Sequence, residues 1–198
     1  QDWDRGRAGE IARRHLDRLQ GVFTRLETLR MSVLAAIQGG CVGGGVDLVA
    51  ACDARYCTRD AFFCIQEVNI GLAADVGTLQ RLPRLIPDGL MRELAYTGRR
   101  LPADEALARG LVNAVFDDHA ALVAHVMDVA REIARKSPLA VMSTKHLLNY
   151  GRDHSVADTL AYQQVWMGAL GQGEAIAAYF RSKAAGVEPE YRDLPPLD

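Results

Sequence analysis

Apolar residues recur three and four apart at Leu16, Leu19, Phe23 and Leu26, with the Arg30 stem covering a last turn, and this period predicts a helix over residues 8 to 29. The helical period then stops. Residues 31–37, Met-Ser-Val-Leu-Ala-Ala-Ile, form a short apolar run of the kind found in a buried strand. The run enters the glycine cluster Gly39-Gly40-Cys41-Val42-Gly43-Gly44-Gly45, after which Val46, Leu48, Val49 and Cys52 predict a short buried helix. Two more strands are predicted over residues 54–58 and 62–65, separated by a turn at Arg59-Asp60.

Helical patterns dominate the rest. One is predicted over residues 75–85 and another over 88–97, with Asp88 as its N-cap. Leu101-Pro102-Ala103-Asp104-Glu105 opens a third, with the proline near the first helical position and Gly110 as its stop. Residues 111–116 read as a strand and residues 118–136 as a long helix ending before Ser137-Pro138. Three further helices are predicted near 138–149, 155–170 and 173–184, and the proline-bearing tail from Glu188 to Asp198 reads as an extended arm. The order is strand–helix alternation followed by a helical tail, an α/β class with no internal repeat.

Composition adds exclusions. A chain of 198 residues with 49% hydrophobic content has material for one domain with a core, or one domain plus a helical extension. A net charge of -2 gives no electrostatic case for nucleic acid or an anionic membrane as partner. No apolar run approaches the roughly 20 residues that span a bilayer. The chain opens Gln1-Asp2-Trp3-Asp4-Arg5, without a signal-peptide core or an initiator Met, which suggests a fragment. Cys41, Cys52, Cys57 and Cys64 lie in one apolar stretch without a Cys-x-x-Cys pair or nearby His, so buried free thiols in a reducing compartment are expected, and no metal site.

Three carboxylates break the apolar pattern where charge is costly. Asp47 follows the glycine cluster, Glu67 closes the strand-like segment after Gln66, and Asp75 sits in Gly71-Leu72-Ala73-Ala74-Asp75-Val76-Gly77. Acids in such flanks must be paired, hydrogen-bonded or protonated, and they suggest proton transfer on a greasy substrate; surface acids at loop ends are the plain alternative. The glycine cluster between a strand and a helix exposes backbone N–H groups at a positive helix end. Neither a Gly-x-Gly-x-x-Gly nor a Gly-Lys-Ser/Thr pattern completes it, and Asp47 in the first helical turn would repel a phosphate. An oxyanion hole is therefore favoured over a nucleotide loop, and a tight packing turn is compatible with either.

The stretch from Val33 through Gln38-Gly39-Gly40-Cys41-Val42-Gly43-Gly44-Gly45-Val46-Asp47-Leu48 resembles the core signature of the crotonase (enoyl-CoA hydratase/isomerase) superfamily. Gly71-Leu72-Ala73-Ala74-Asp75-Val76-Gly77-Thr78-Leu79-Gln80-Arg81-Leu82-Pro83 is similar to its dienoyl-CoA isomerase branch, and Ala51-Cys52-Asp53-Ala54-Arg55-Tyr56-Cys57, Ser143-Thr144-Lys145 and Arg152-Asp153-His154-Ser155-Val156-Ala157 extend the similarity. The resemblance covers the chain from the first helix and weakens after about residue 165. It implies a crotonase-like α/β fold of stacked strand and helix turns, a core over residues 1–135 and a helical trimerisation region over 136–198.

The resemblance also implies roles. Asp47 and Glu67 fall on the two acid positions that hydratases of the superfamily fill with glutamates, Asp75 on a position marking the dienoyl isomerases, and Gly44 on the oxyanion-hole N–H. The implied reaction converts a 3,5-dienoyl-CoA into the 2,4-dienoyl-CoA in the degradation of unsaturated fatty acids. Glu67 would act as base at C2, Asp75 as acid at C6, and Asp47 would orient the pair. The acyl-CoA is the substrate and no cofactor is expected; the implied assembly is a homotrimer or homohexamer. Enoyl-CoA hydratase and a non-catalytic acyl-CoA-binding homologue are the rival readings. Family members carry a further segment before the first helix, which supplies the other oxyanion N–H and much of the CoA pocket, so this chain alone is expected to be catalytically incomplete. The end Leu194-Pro195-Pro196-Leu197-Asp198 lacks a Ser-Lys-Leu-type peroxisomal address, and a cytoplasmic protein is expected.

Other polar residues have plainer readings. His154 is expected to cap or pack and Lys145 to lie on a solvated helix face, while Asp53 and Arg55 should form a structural contact at a strand start. Trp166, Tyr179 and Phe180 are expected in core or interface.

Overall fold

The computed structural model describes residues 3–196 and divides into two compact units. The chain up to Thr28 and Val33–Val126 make the first, and Leu29–Ser32 with the chain from Met127 onward make the second. Gln1, Asp2, Leu197 and Asp198, the outermost residues of the expected chain ends, lie outside the described residues.

In the first unit, helix α1 (Arg5–Thr28) precedes two small sheets. Strand β1 (Leu34–Ile37) pairs in parallel with β3 (Ala54–Thr58), which pairs in parallel with β6 (Ala114–Phe116). Strand β2 (Gly40–Val42) pairs in parallel with β4 (Phe62–Cys64), and β4 pairs antiparallel with β5 (Leu101–Pro102). Each pass of the chain thus lays one strand in each sheet: β1 then β2, β3 then β4. Consecutive passes stack, and the corner of one is bonded to the next where Phe62 N–H donates to the Gly39 carbonyl at 3.1 Å.

Helix α2 (Gly44–Ala50) follows β2, and α3 (Thr78–Arg81), α4 (Asp88–Thr97) and α5 (Ala103–Ala108) follow β4. Val46, Cys57, Leu82, Leu101, Ala103, Ala106 and Leu111 are essentially sealed from solvent. Each large one contributes about 1.5–3 kcal/mol of burial. Small residues on α5 let it lie against the sheet of β2, β4 and β5. Arg55 is buried on β3, where it donates to the Leu111, Cys52 and Val49 carbonyls at 2.8, 2.6 and 3.3 Å. Its cation thus meets carbonyls at the C-terminal end of α2, where the helix dipole is negative. Asp53 accepts from Val33 N–H at 2.7 Å, so both residues are structural.

The helix expected over residues 75–85 is shorter. It begins only at Thr78, because Gly77 takes φ +136°, and it tightens into a 3-10 turn over Leu82–Arg84, where Pro83 lacks an N–H. Pro87, not Asp88, is the N-cap of α4; Asp88 is the first helical residue and its carboxylate accepts from Arg92 Nε at 2.7 Å. All four cysteines are buried and free.

Helix α6 (His119–Ala134) carries the chain into the second unit, where α7 (Pro138–Gly151), α8 (Val156–Leu170) and α9 (Gly173–Ala185) follow. Ser137 and Ser155 cap α7 and α8 by accepting from Ala140 and Asp158 N–H at 3.4 and 3.1 Å. His146 stacks on Trp166 at 3.8 Å and shares a 2.8 Å hydrogen bond with the Tyr162 hydroxyl, while His154 stacks on Tyr150. Lys145 is buried rather than solvated: its ammonium donates to the Met31 carbonyl at 3.0 Å. Tyr179 and Phe180 are exposed in this chain, and only Trp166 of the three aromatics is half-buried. The tail beyond α9 has no regular element in its described part, and Arg30 holds it by donating to the Pro195 carbonyl at 2.8 Å.

Candidate active site

The corner from β2 into α2 needs glycine at one position above all. Gly43 has φ +54° and ψ -120°, and its N–H donates to the Cys64 carbonyl on β4 at 3.0 Å. Its own carbonyl accepts from Val46 N–H at 2.7 Å, which starts the helix. The Gly44 N–H, at the first helical position, takes no partner among the described residues, and Gly44 is exposed. A free donor at a positive helix end is what a developing oxyanion requires.

Glu67 opens the 3-10 turn Glu67–Ile70 just after β4. A Cβ placed on Gly43 would stand 3.1 Å from Glu67 Oε1, so the carboxylate abuts the glycine corner. Glu67 is half-buried, and its carboxylate has no hydrogen-bond or ion-pair partner among the described residues. Asp75 lies further along the same loop, also half-buried and equally without a partner for its carboxylate there. The loop folds back on itself where Leu72 N–H donates to the Glu67 carbonyl at 3.0 Å.

Asp47 is different. It is 0% exposed, and its Oδ1 accepts from both the N–H and the hydroxyl of Thr78, at 2.6 and 2.7 Å. Its Oδ2 is buried without a partner among the described residues. One acid on α2 thus serves as the cap of α3, tying the glycine corner to the end of the loop that bears Asp75. Cys41 lies close by, its thiol pushed up to about 12, first by burial and then by the Asp47 carboxylate.

Of the three acids singled out in the sequence, two are open and one is locked. Spacing alone could not separate them. Sequence pattern does not single out Thr78, the partner that locks Asp47; the one local signal is Gly77, which precedes a helix start whose first N–H needs an acceptor. No group of three or more His, Cys, Asp or Glu among the described residues is arranged to hold a metal ion.

Residues 8–179 match the family model described as enoyl-CoA hydratase/isomerase. The chain is 54% identical over 152 residues to the mitochondrial Delta(3,5)-Delta(2,4)-dienoyl-CoA isomerase of Homo sapiens, covering 76% of this chain and 46% of that protein. It is 47% identical over 167 residues to the peroxisomal enzyme of that name from Arabidopsis thaliana, covering 84% of this chain and 60% of the relative. The crystal structure of an enoyl-CoA hydratase from Bacillus anthracis superposes with a TM-score of 0.86 at 29% identity, over 93% of this chain and 71% of that one. The chain spans about half the length of the relatives it matches. The expectation of a cytoplasmic protein is corrected by these comparisons: the similar isomerases are named mitochondrial and peroxisomal, and the residues at the chain's end carried no information on the point. With the stacked two-sheet fold and a match over residues 8–179, the chain belongs to the enoyl-CoA hydratase/isomerase family.

Proposed function

We propose that the protein is an isomerase that converts a 3,5-dienoyl-CoA into the conjugated 2,4-dienoyl-CoA. The observation that carries this reading is the division of labour among the acids: Glu67 and Asp75 are partly exposed with unengaged carboxylates on one loop, while Asp47 is sealed and bonded to Thr78. The similarity to named dienoyl-CoA isomerases supports it.

The reaction needs two proton carriers and one anion-stabilising donor. Glu67 takes the proton from C2: the C–H bond breaks, an O–H bond forms on the carboxylate, and the electron pair is shared between the thioester oxygen on one side of C2 and C6, through the diene, on the other. The Gly44 N–H at the head of α2 faces that oxyanion. Asp75, in its acid form, gives a proton to C6, and the double bonds settle at C2 and C4. Exchange with solvent returns both carboxyls to their starting states. Each acid/base group accounts for about 10²–10⁴ in rate and one oxyanion donor for about 10²–10³. Val68, Ile70 and Leu72 are exposed on the loop that holds the two open acids, which suits a hydrocarbon chain laid along it.

A hydratase instead needs two acids sharing one water over C2 and C3. Asp47, with one oxygen bonded twice to Thr78 and no solvent exposure, is poorly placed for that task. Assembly into a trimer or a pair of trimers fits the second unit taken by itself, since α8 has no buried residue and exposes Val156, Leu160 and Val165.

The test is to give the full-length protein a 3,5-dienoyl-CoA and follow the absorbance of the conjugated product. Its appearance supports the isomerase. Hydration of a 2-enoyl-CoA without diene conversion supports the lyase instead. Binding without either reaction supports an acyl-CoA-binding homologue.

A further inference from the structure

Asp75 sits in an irregular stretch, residues 71–77, with no helix or strand to hold it. Side chains from outside the stretch grip its backbone instead. Gln20 Nε2 on α1 donates to the Asp75 carbonyl at 2.7 Å. Arg81 folds back from α3, and its Nη1 lies 3.4 Å from the Val76 carbonyl to which it donates. The same nitrogen lies 1.7 Å from where a Cβ on Gly77 would be, so any side chain at 77 would displace the guanidinium. Arg81 Nη2 is fixed to α1 by bonds of 3.0 Å to Thr24 Oγ1 and 3.0 Å to Glu27 Oε2. The Arg81 and Glu27 side chains are only 13% and 11% exposed.

Gln20, Thr24 and Glu27 stand four and three residues apart, on one face of α1. One face of α1 therefore supplies both the direct bond to the Asp75 carbonyl and the groups that fix Arg81. A shielded ion pair is seldom more stabilising than a well-packed apolar pair of the same volume, so stability alone is a weak reason for Arg81 and Glu27. The rigid guanidinium fork offers direction: it bonds α1 on one side and the backbone beside Asp75 on the other.

We infer that Arg81, Glu27 and Gln20 are positioning residues for Asp75, setting from α1 the point along the acyl chain at which the second proton carrier stands. This rests on the reading of Asp75 as the acid for C6. None of the three is assigned contact with reacting atoms. Glu67 is held separately, against the Gly43 corner, so loosening this grip uncouples the two halves of the reaction: proton removal at C2 continues while delivery at C6 fails.

The experiment uses full-length protein with a 3,5-dienoyl-CoA in D2O, reading both isomerisation and deuterium incorporation at C2. For Arg81→Met, kcat for isomerisation should fall about 10–10²-fold with KM within about twofold, and C2 exchange should persist at the parent rate. Arg81→Met removes a charged partner from the shielded Glu27 carboxylate and puts the fold at risk. Gln20→Ala removes only an exposed hydrogen bond and should give the same split at several-fold size. Unchanged isomerisation in a folded variant, or exchange that falls in step with isomerisation, overturns the inference. A parent protein that does not convert the diene sinks the functional reading itself, and the positioning role with it.

Discussion

Thr78 bonds Asp47 twice through a single carboxylate oxygen, its N–H at 2.6 Å and its hydroxyl at 2.7 Å, at a point with no solvent access. The pair joins α2, which carries Gly44, to the start of α3, three residues beyond Asp75. Thr78→Val keeps the shape but removes one of the two donors. Losing a hydrogen bond to a buried charged acceptor costs about 1–3 kcal/mol. Urea unfolding should show that loss, and Thr78→Ser should recover most of it. Equal stability of the Val and Ser variants would contradict the account.

The glycine corner makes a sharper distinction between neighbours. An alanine Cβ at 43 would stand 3.1 Å from Glu67 Oε1 at φ +54°, whereas at 45 it would meet only Cys41 Sγ at an ordinary 3.5 Å. Gly43→Ala should therefore displace Glu67 and tilt the Gly44 donor, lowering kcat about 10²-fold. Gly45→Ala, inside α2, should leave turnover near the parent value. Steady-state rates on the two variants check this, and equal effects would refute it.

Cysteine ionisation sets a pH dependence. Burial raises Cys41 from 9.0 to about 12 and Cys57 from 9.0 to about 11. The unfolded chain releases these protons near the ordinary thiol value while the folded one keeps them. Stability from this source is thus complete below pH 9.0 and declines as pH rises through about 11 and 12. Unfolding midpoints measured across that range should drop, and Cys41→Ala should flatten the slope. In the folded protein, alkylation of Cys41 and Cys57 at neutral pH should be negligible until denaturant is added.

Much of this was legible in the chain. Strand β3 occupies the predicted residues, Ala54–Thr58, and ends at the Arg59-Asp60 turn. The glycine cluster and the three acids stood out because charge and glycine interrupt apolar sequence. What could not be read was long-range. Strand β2 lies inside the glycine cluster, where propensity argues against a strand, and exists because its backbone pairs with β4. Lys145 resembles a surface lysine until the Met31 carbonyl, far away in sequence, is brought to it. The locking of Asp47 has the same cause: its partner is 31 residues further on.

In the proposed isomerisation Glu67 and Asp75 handle separate protons at opposite ends of a conjugated thioester. The most direct test of this division is to compare Glu67→Gln with Asp75→Asn in D2O on a 3,5-dienoyl-CoA, scoring C2 exchange and diene conversion together. Glu67→Gln should abolish both signals, and Asp75→Asn should abolish conversion, by about 10²-fold or more, while C2 exchange continues. Conversion at the parent rate in Asp75→Asn, or C2 exchange surviving in Glu67→Gln, would contradict it.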